Sequence, residues 1–333
     1  MTEILLLMPQ DHRRSVFTAD SMNRLRRCGK LSIADTATDH DRPDVRDQIA
    51  CAEIIVTGTG TAKLDAAVLD GAPNLRAVVH AAGSVRPVVD ADVYERGIQI
   101  SSQALLNALP VAEYTLAMIL LELKGALALE RIYRRARTEV DVDGALVHHG
   151  VYGRRVGIIS ASGIGRRVIE LLRPFDLEVV VSDPFLSAED ATALGVEAIE
   201  LPTLLATSDV VSLHAPLLPE TVGMIGAAEL AALRDGAVFI NTARGALVDQ
   251  EALISELASD RIRAVIDVTD PETPASDSAL WELESLVLTP HVAGSRGLEL
   301  RRIGEGVVDE VERLVNGEAL VRSVTLERYA RNA

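Results

Sequence analysis

Cysteine is scarce in this sequence. Only Cys28 and Cys51 occur in 333 residues, too few to staple a chain of this size and not at metal-ligand spacing. Two ordinary thiols in a reducing, cytoplasmic compartment are the expectation. Lysine is also rare, with three residues, and the formal net charge is -16. Neutralising a phosphate backbone needs clustered Lys and Arg, so no nucleic-acid partner is expected. The one arginine-rich stretch, RIYRRAR at 131–137, follows an apolar helical segment and reads as a solvated helix end in preference to an RNA-binding patch. The longest apolar run, LAMILL at 116–121, falls far short of the roughly 20 residues of a bilayer span, so no membrane partner is expected either. At the N-terminus, MTEILLLMPQ sets an acid before its short apolar run and has no basic flank, and it reads as a first strand, not a secretory leader. His148 and His149 are adjacent but lack a third ligand at metal spacing, so they read as solvated and no metal is expected.

The length allows about two domains, and a hydrophobic content of 48% gives each a core. Strand-like apolar runs alternate with helical patterns, the signature of an α/β protein with parallel sheets. EILLLMP, EIIVTGTG, LRAVVHAAG and IQISS supply one sheet; RVGIIS, EVVVSDP, VVSLHAP, AVFINTARG, AVIDVTD and LVLTPHVAG supply a second. The spacing predicts a long helix over 110–136 that starts at Pro110, a residue suited to a first helical turn, and links the two domains. ELRRIGEGVVDEVERLVNGEAL reads as an amphipathic helix ending near Gly317 that returns to the first domain. Trp281 reads as a packing residue.

The stretch VGIISASGIGRRV, 156–168, has the outline of a dinucleotide-binding turn, with Ser160, Ser162 and Gly165 at its three glycine positions. Strand, turn, helix and second strand follow in order, and Asp183 stands 23 residues after Ser160 (183 − 160), near the spacing at which an acid meets the adenosine ribose. An acid there favours NAD over NADP. Gly163, Ile164 and Gly165 open a helix whose N–H groups attract phosphate. The serine side chains either crowd that phosphate or donate a hydrogen bond to it. Alone, the motif reads equally as a bare strand-turn-helix crossover.

Three later strand ends, NTARGALVDQEAL (241–253), DVTDPETP (267–274) and LTPHVAGS (288–295), resemble the D-isomer-specific 2-hydroxyacid dehydrogenases, as do VSLHAPLLPET (211–221), VAEYTLAMILLEL (111–123) and RRVGII. The resemblance runs over most of the chain and is densest from about residue 110 to 325. It implies two Rossmann-like, doubly wound parallel-sheet domains with a cleft between them. On that pattern 1–104 and 298–333 form a discontinuous, flavodoxin-like substrate domain, 105–297 forms the NAD-binding domain, and the protein is a homodimer.

By motif, the resemblance gives Arg244 the role of clamping a substrate's carboxylate and carbonyl oxygen, and His291 that of the acid/base that exchanges a proton with that oxygen. Glu272 falls where the family keeps the acid that orients the imidazole. Asp267 matches the partner of the nicotinamide carboxamide, and His214, Ala215, Pro216, Thr242 and Ala243 match the nicotinamide-side wall, with Thr221 and Gly294 completing the cofactor set of Ser162, Gly163, Ile164, Gly165 and Asp183. Taken singly, these have plainer readings: an ion-paired arginine, a satisfied histidine, a surface glutamate, an aspartate capping a turn. Their recurrence at successive strand ends, where α/β sheets bind ligands, carries the catalytic reading.

In the first domain HAAGSVRP (80–87) matches the loop whose amides hold the substrate carboxylate, which makes Ala82, Gly83 and Ser84 the candidates. Val85, Arg86 and Pro87 depart from the family pattern, and Arg86 is either a second anion anchor or a loop ion pair. Glu at 272 argues against formate as substrate and Ala82 against phosphite. A small 2-keto or 2-hydroxy acid, of the glyoxylate or hydroxypyruvate kind, is the expected substrate. Two other readings stay open: a dinucleotide-sensing protein of the corepressor type with little turnover, and a family member that has lost NAD through Ser160 and Ser162.

Overall fold

Short runs of Val, Ile and Leu with no polar alternation can be strands only if both faces of their sheet are covered. In a computed structural model, which describes residues 1–332, such runs build two parallel sheets. The chain divides into one unit of Met1–Asn107 with Ser295–Ala333 and a second of Ala108–Gly294.

The first unit's strands are β1 (Glu3–Leu7), β2 (Lys30–Ile33), β3 (Ile54–Thr57), β4 (Ala77–His80) and β5 (Gln99–Ser102), in the order β2-β1-β3-β4-β5. Successive residues of β1 feed opposite cores, as the strand's period of two requires. Leu5 and Leu7 join Ile55, Val78 and Ile100 on one face. Ile4 and Leu6 join Val56, Val79 and the Val307, Val308 and Val311 side chains of the helix Glu299–Asn316 on the other. That helix ends at Gly317 in the left-handed conformation.

The second unit's strands are β6 (Arg154–Ile159), β7 (Leu177–Ser182), β8 (Glu197–Ala198), β9 (Val210–Leu213), β10 (Val238–Asn241), β11 (Arg263–Ile266) and β12 (Leu286–Leu288). Their order is β12-β11-β10-β9-β6-β7-β8, so the chain reverses direction of growth at β6 and β9, the switch point where open α/β sheets bind ligands. The register pairs Ile159 with Leu213, Leu213 with Asn241, Asn241 with Ile266, and Ile266 with Leu288. The first residues past those strands, Ser160, His214, Thr242, Asp267 and Thr289, therefore stand in one row along the carboxyl edge.

Several elements differ from the sequence expectation. β2 and β8 are edge strands, the first only partly buried and the second exposed, so neither carries a long apolar run. The helix expected over 110–136 is two helices, Ala104–Leu123 and Ala126–Ala136. Pro110 lies inside the first and does not start it, and the break falls at Gly125, whose φ of +69° stops the first helix. Over its 20 residues Ala104–Leu123 is also long and apolar enough, by length and composition, to cross a membrane, although no single run within it is. Glu113 and Glu122 interrupt the apolar sequence but leave its mean hydropathy high, and Ala112, Ile119 and Leu123 lie in the second unit's core.

Candidate active site

The turn after β6 is built around its two serines. Ser160 takes a φ of +74°, the left-handed conformation that glycine adopts most readily. Its hydroxyl donates to Asp183 Oδ2 at 3.1 Å, and the Ala161 N–H donates to the same oxygen at 2.8 Å. Phe185 N–H donates to Asp183 Oδ1 at 2.8 Å. Asp183, one residue beyond β7, is thus fixed by the turn it faces. Ser162 caps the helix Gly163–Leu172, its oxygen accepting the Gly165 N–H at 3.3 Å. Its hydroxyl thereby takes one helix N-terminal donor, while Gly163 and Ile164 N–H have no acceptor among the described residues. At the third position only glycine fits: a Cβ on Gly165 would fall 2.1 Å from the Ser160 carbonyl oxygen. The residues present therefore suit a dinucleotide pyrophosphate, with two open amides at a helix N-terminus and a fixed carboxylate at the next strand end.

Asp267 and His291 follow β11 and β12. Asp267 is fully buried, and its carboxylate accepts from the Thr289 hydroxyl (2.5 Å), Val292 N–H (2.8 Å) and Ala293 N–H (2.9 Å). Tyr114 extends the chain, its hydroxyl 2.9 Å from that of Thr289, and burial pushes the phenol's pKa up. The His291 N–H donates to the Asp267 carbonyl at 2.9 Å, with His291 at a φ of +52°. Its Nδ1 lies 2.5 Å from Glu272 Oε1. The glutamate's own loop is held by Thr269, whose hydroxyl donates to the Pro271 and Glu272 carbonyls at 2.8 and 3.0 Å. With Nδ1 turned to the carboxylate, proton exchange with a ligand falls to Nε2.

Arg244 follows β10 across a turn that the buried Asn241 holds, accepting from Ala243 N–H at 3.0 Å and donating to the Arg244 carbonyl at 2.9 Å. The guanidinium donates to the Ala243 carbonyl at 2.6 Å and has no carboxylate within ion-pair distance among the described residues. Desolvation lowers its pKa, and the Glu272 carboxylate pulls it back up. His214 is buried, with Nε2 2.9 Å from the Ser212 hydroxyl; burial pushes its pKa down to about 3, so the ring is neutral. Thr242, buried, meets the Thr115 hydroxyl at 3.1 Å. Thr221 spends its hydroxyl on the Pro216 carbonyl (2.7 Å), fixing the Ala215–Pro216 segment. Gly294 follows directly on Ala293.

In the first unit, Ala82, Gly83 and Ser84 follow β4, and none of their N–H groups has an acceptor among the described residues. Three successive amides are thus open to an acceptor, the kind of donor an anion takes. Arg86 has no carboxylate within ion-pair distance among the described residues. Its guanidinium donates to the Tyr329 and Ala330 carbonyls at 3.0 and 3.2 Å and lies 5.2 Å from the Tyr329 ring centroid, drawn by the carbonyl end of the helix Leu326–Asn332. His148 is exposed, whereas His149 is only half-exposed, packed against Gly125, and burial lowers its pKa. Trp281 is half-exposed, its indole donating to the Ala275 carbonyl at 2.8 Å. In the 131–137 stretch Arg134 and Arg135 pair with Glu130 and Glu284.

Sequence reasoning missed Asn241, Thr269, Thr289, Tyr114 and Thr115, which hold the ligand-facing residues. All five lie inside the quoted motifs. Only the register shows what they bond to.

A family model described as the D-isomer specific 2-hydroxyacid dehydrogenase NAD binding domain matches residues 116–293. The chain is 31% identical over 260 residues to a glyoxylate reductase of Korarchaeum cryptofilum, covering 78% of each. It is 32% identical over 292 residues to a D-3-phosphoglycerate dehydrogenase of Mycobacterium tuberculosis, covering 86% of this chain and 54% of that one. It spans about half the length of the phosphoglycerate dehydrogenases it matches. Among solved structures, a D-lactate dehydrogenase from Aquifex aeolicus complexed with NAD and lactic acid superimposes with a TM-score of 0.73 at 26% identity, over 95% of this chain and 96% of that one.

Proposed function

The chain belongs to the D-isomer-specific 2-hydroxyacid dehydrogenases, and from that premise we propose that it is an NAD-dependent oxidoreductase interconverting a small 2-keto acid and the corresponding D-2-hydroxy acid. One observation carries the reading: Nδ1 of His291 meets Glu272 at 2.5 Å, at the carboxyl edge that also presents Arg244.

Each side chain has one task. Arg244 offers two parallel N–H donors, one for the substrate carboxylate and one for the carbonyl oxygen, which it polarises. Ala82, Gly83 and Ser84 offer amides to the carboxylate. Glu272 holds the imidazolium of His291 by Nδ1, so that Nε2 gives its proton to the carbonyl oxygen during reduction and recovers it during oxidation. The nicotinamide, when bound, supplies or accepts the hydride. Gly163 and Ile164 would hold the pyrophosphate, Asp183 the adenosine ribose, Asp267 the carboxamide, and the 214–216 and 242–243 backbone the nicotinamide wall, with Thr221 and Gly294 supporting them.

Asp183 sets the expected cofactor. A 2′-phosphate would bring about two negative charges to a carboxylate already held on both oxygens, so purified protein should reduce glyoxylate or hydroxypyruvate with NADH in preference to NADPH. Absorbance at the reduced nicotinamide band, over a keto-acid panel with each cofactor, measures this. NADPH preference would sink the cofactor reading. NADH binding without turnover across the panel would leave a sensor, and no binding would leave a chain that has lost NAD.

The reading also places the protein in the cytoplasm, without nucleic-acid or membrane partners, as a homodimer. For the dimer, the supporting observation lies in the second unit. Only 33% of the apolar window in Ala104–Leu123 is buried, and no residue of the amphipathic helix Ala126–Ala136 is. Leu121, Ile132, Tyr133, Val147 and Tyr152 are exposed, a density of apolar side chains that a second copy would cover. Light scattering on the purified protein should give the mass of two chains. A monomer at micromolar concentration would count against it.

A further inference from the structure

His12 has no part in the reading above, yet its ring occupies a built seat beside the loop that begins at Ala81. It lies in the first turn of the helix Gln10–Val16, directly after β1. A Cβ on Gly58 would fall 2.5 Å from its Cδ2 and 2.9 Å from its Nε2, so glycine at the end of β3 is what leaves room for the imidazole. Nε2 lies 3.3 Å from the Ala81 carbonyl oxygen. A carbonyl only accepts, so the contact fixes the ring's proton on Nε2. Burial lowers the pKa of His12, with the bond to Ala81 opposing it, and the buried neighbour His80 is likewise depressed, to about 4.

The Ala81 carbonyl and the Ala82 N–H belong to one planar trans peptide and point in opposite directions. The next peptide is held in the same way, because the Ala82 carbonyl accepts from Gln103 N–H at 2.9 Å. Two successive peptides are thus pinned by their carbonyls, and their N–H groups, on Ala82 and Gly83, are the ones without acceptors among the described residues. We propose that His12 is a positioning residue for the substrate carboxylate: by donating to the Ala81 carbonyl it turns the Ala82 N–H outward and polarises it as a donor. This rests on the reading that the Ala82–Ser84 loop takes that carboxylate.

The test pairs two variants. His12→Leu fills the seat but removes the donor. His12→Gln places an amide N–H close to where Nε2 stood. The carboxylate contact is the same in substrate and transition state, so His12→Leu is expected to raise the keto-acid KM about tenfold, equivalent to about 1.4 kcal/mol, with kcat and the KM for NADH within about twofold of the parent. His12→Gln should restore most of the loss, which a merely structural role would not do. In parallel, the Ala81 carbonyl ¹³C resonance of the cofactor-free protein should move upfield in His12→Leu and much less in His12→Gln. An unchanged keto-acid KM in His12→Leu, equal losses in both variants, or a KM for NADH that rises with the other would overturn the proposal. A parent inactive on every keto acid overturns the functional reading and this proposal with it, while the ¹³C comparison still reports whether His12 holds that peptide, so the two failures are distinguishable.

Discussion

Replacing His291 with asparagine is expected to lower keto-acid turnover by roughly 10²- to 10⁴-fold, the range for a lost general acid. Asparagine is the informative choice because His291 sits at a φ of +52°, a conformation that asparagine tolerates better than alanine. The backbone contacts survive the exchange: His291 N–H still reaches the Asp267 carbonyl, and an amide still faces Glu272. What is lost is Nε2, the atom proposed to exchange the proton. Because these backbone contacts are kept, the thermal midpoint should hold within a few degrees. Glu272→Gln, which keeps an acceptor beside Nδ1 but removes the charge, is expected to lose less, since the Glu272 side chain is 63% exposed and solvent screens the pair. Single-turnover oxidation of bound NADH by glyoxylate measures both. Near-parent turnover in the asparagine variant would remove His291 from the chemistry.

How much of this was legible in the sequence depended on burial. Central strands such as β3, β4, β9 and β10 are buried at every position, so they appear as predominantly apolar runs with a single polar residue each. The edge strands, β2 only partly buried and β8 exposed, leave no such trace. Pro110 suggested a helix start because its ring suits the first turn, but proline in a helix forfeits one N–H, and the packing of Ala112, Ile119 and Leu123 supports the helix around it. The alignment of Ser160, His214, Thr242, Asp267 and Thr289 along one edge is a property of register between strands far apart in sequence, so the motifs were visible but not the row they form. The roles proposed for Arg244, Glu272 and His291 came from resemblance; periodicity alone leaves each a surface residue. For Ser162 the sequence posed a choice between crowding and donating to a phosphate, and the fold shows another use, a helix cap. Ser160 turns instead to Asp183, a contact that follows from the pairing of Ile159 with Ser182.

Arg244→Met is expected to lower kcat/KM for the keto acid by roughly 10²- to 10⁴-fold, because two charge-assisted hydrogen bonds of about 1.5–3 kcal/mol each are lost together. The two bonds differ in when they act. On the proposed roles, the carboxylate bond would be made equally in substrate and transition state and set KM; the bond to the carbonyl oxygen would strengthen as that oxygen gains charge and set kcat. Both constants should therefore worsen, while the KM for NADH stays near the parent value. Arg244→Lys separates charge from geometry. A lysine ammonium restores a positive point charge but not the planar fork, and it loses the 2.6 Å tether to the Ala243 carbonyl that fixes the head of the side chain. Its kcat/KM should fall about 10- to 100-fold, between parent and methionine. At a φ of −148° the backbone is extended and accepts either residue, and Asn241 holds the turn through backbone groups that neither substitution alters, so the fold is not at risk. Steady-state kinetics with both substrates varied, on parent and both variants, would decide it. A methionine variant with the parent's keto-acid KM and kcat would mean that the carboxylate and carbonyl are held elsewhere, and the clamp at the end of β10 would have to be abandoned.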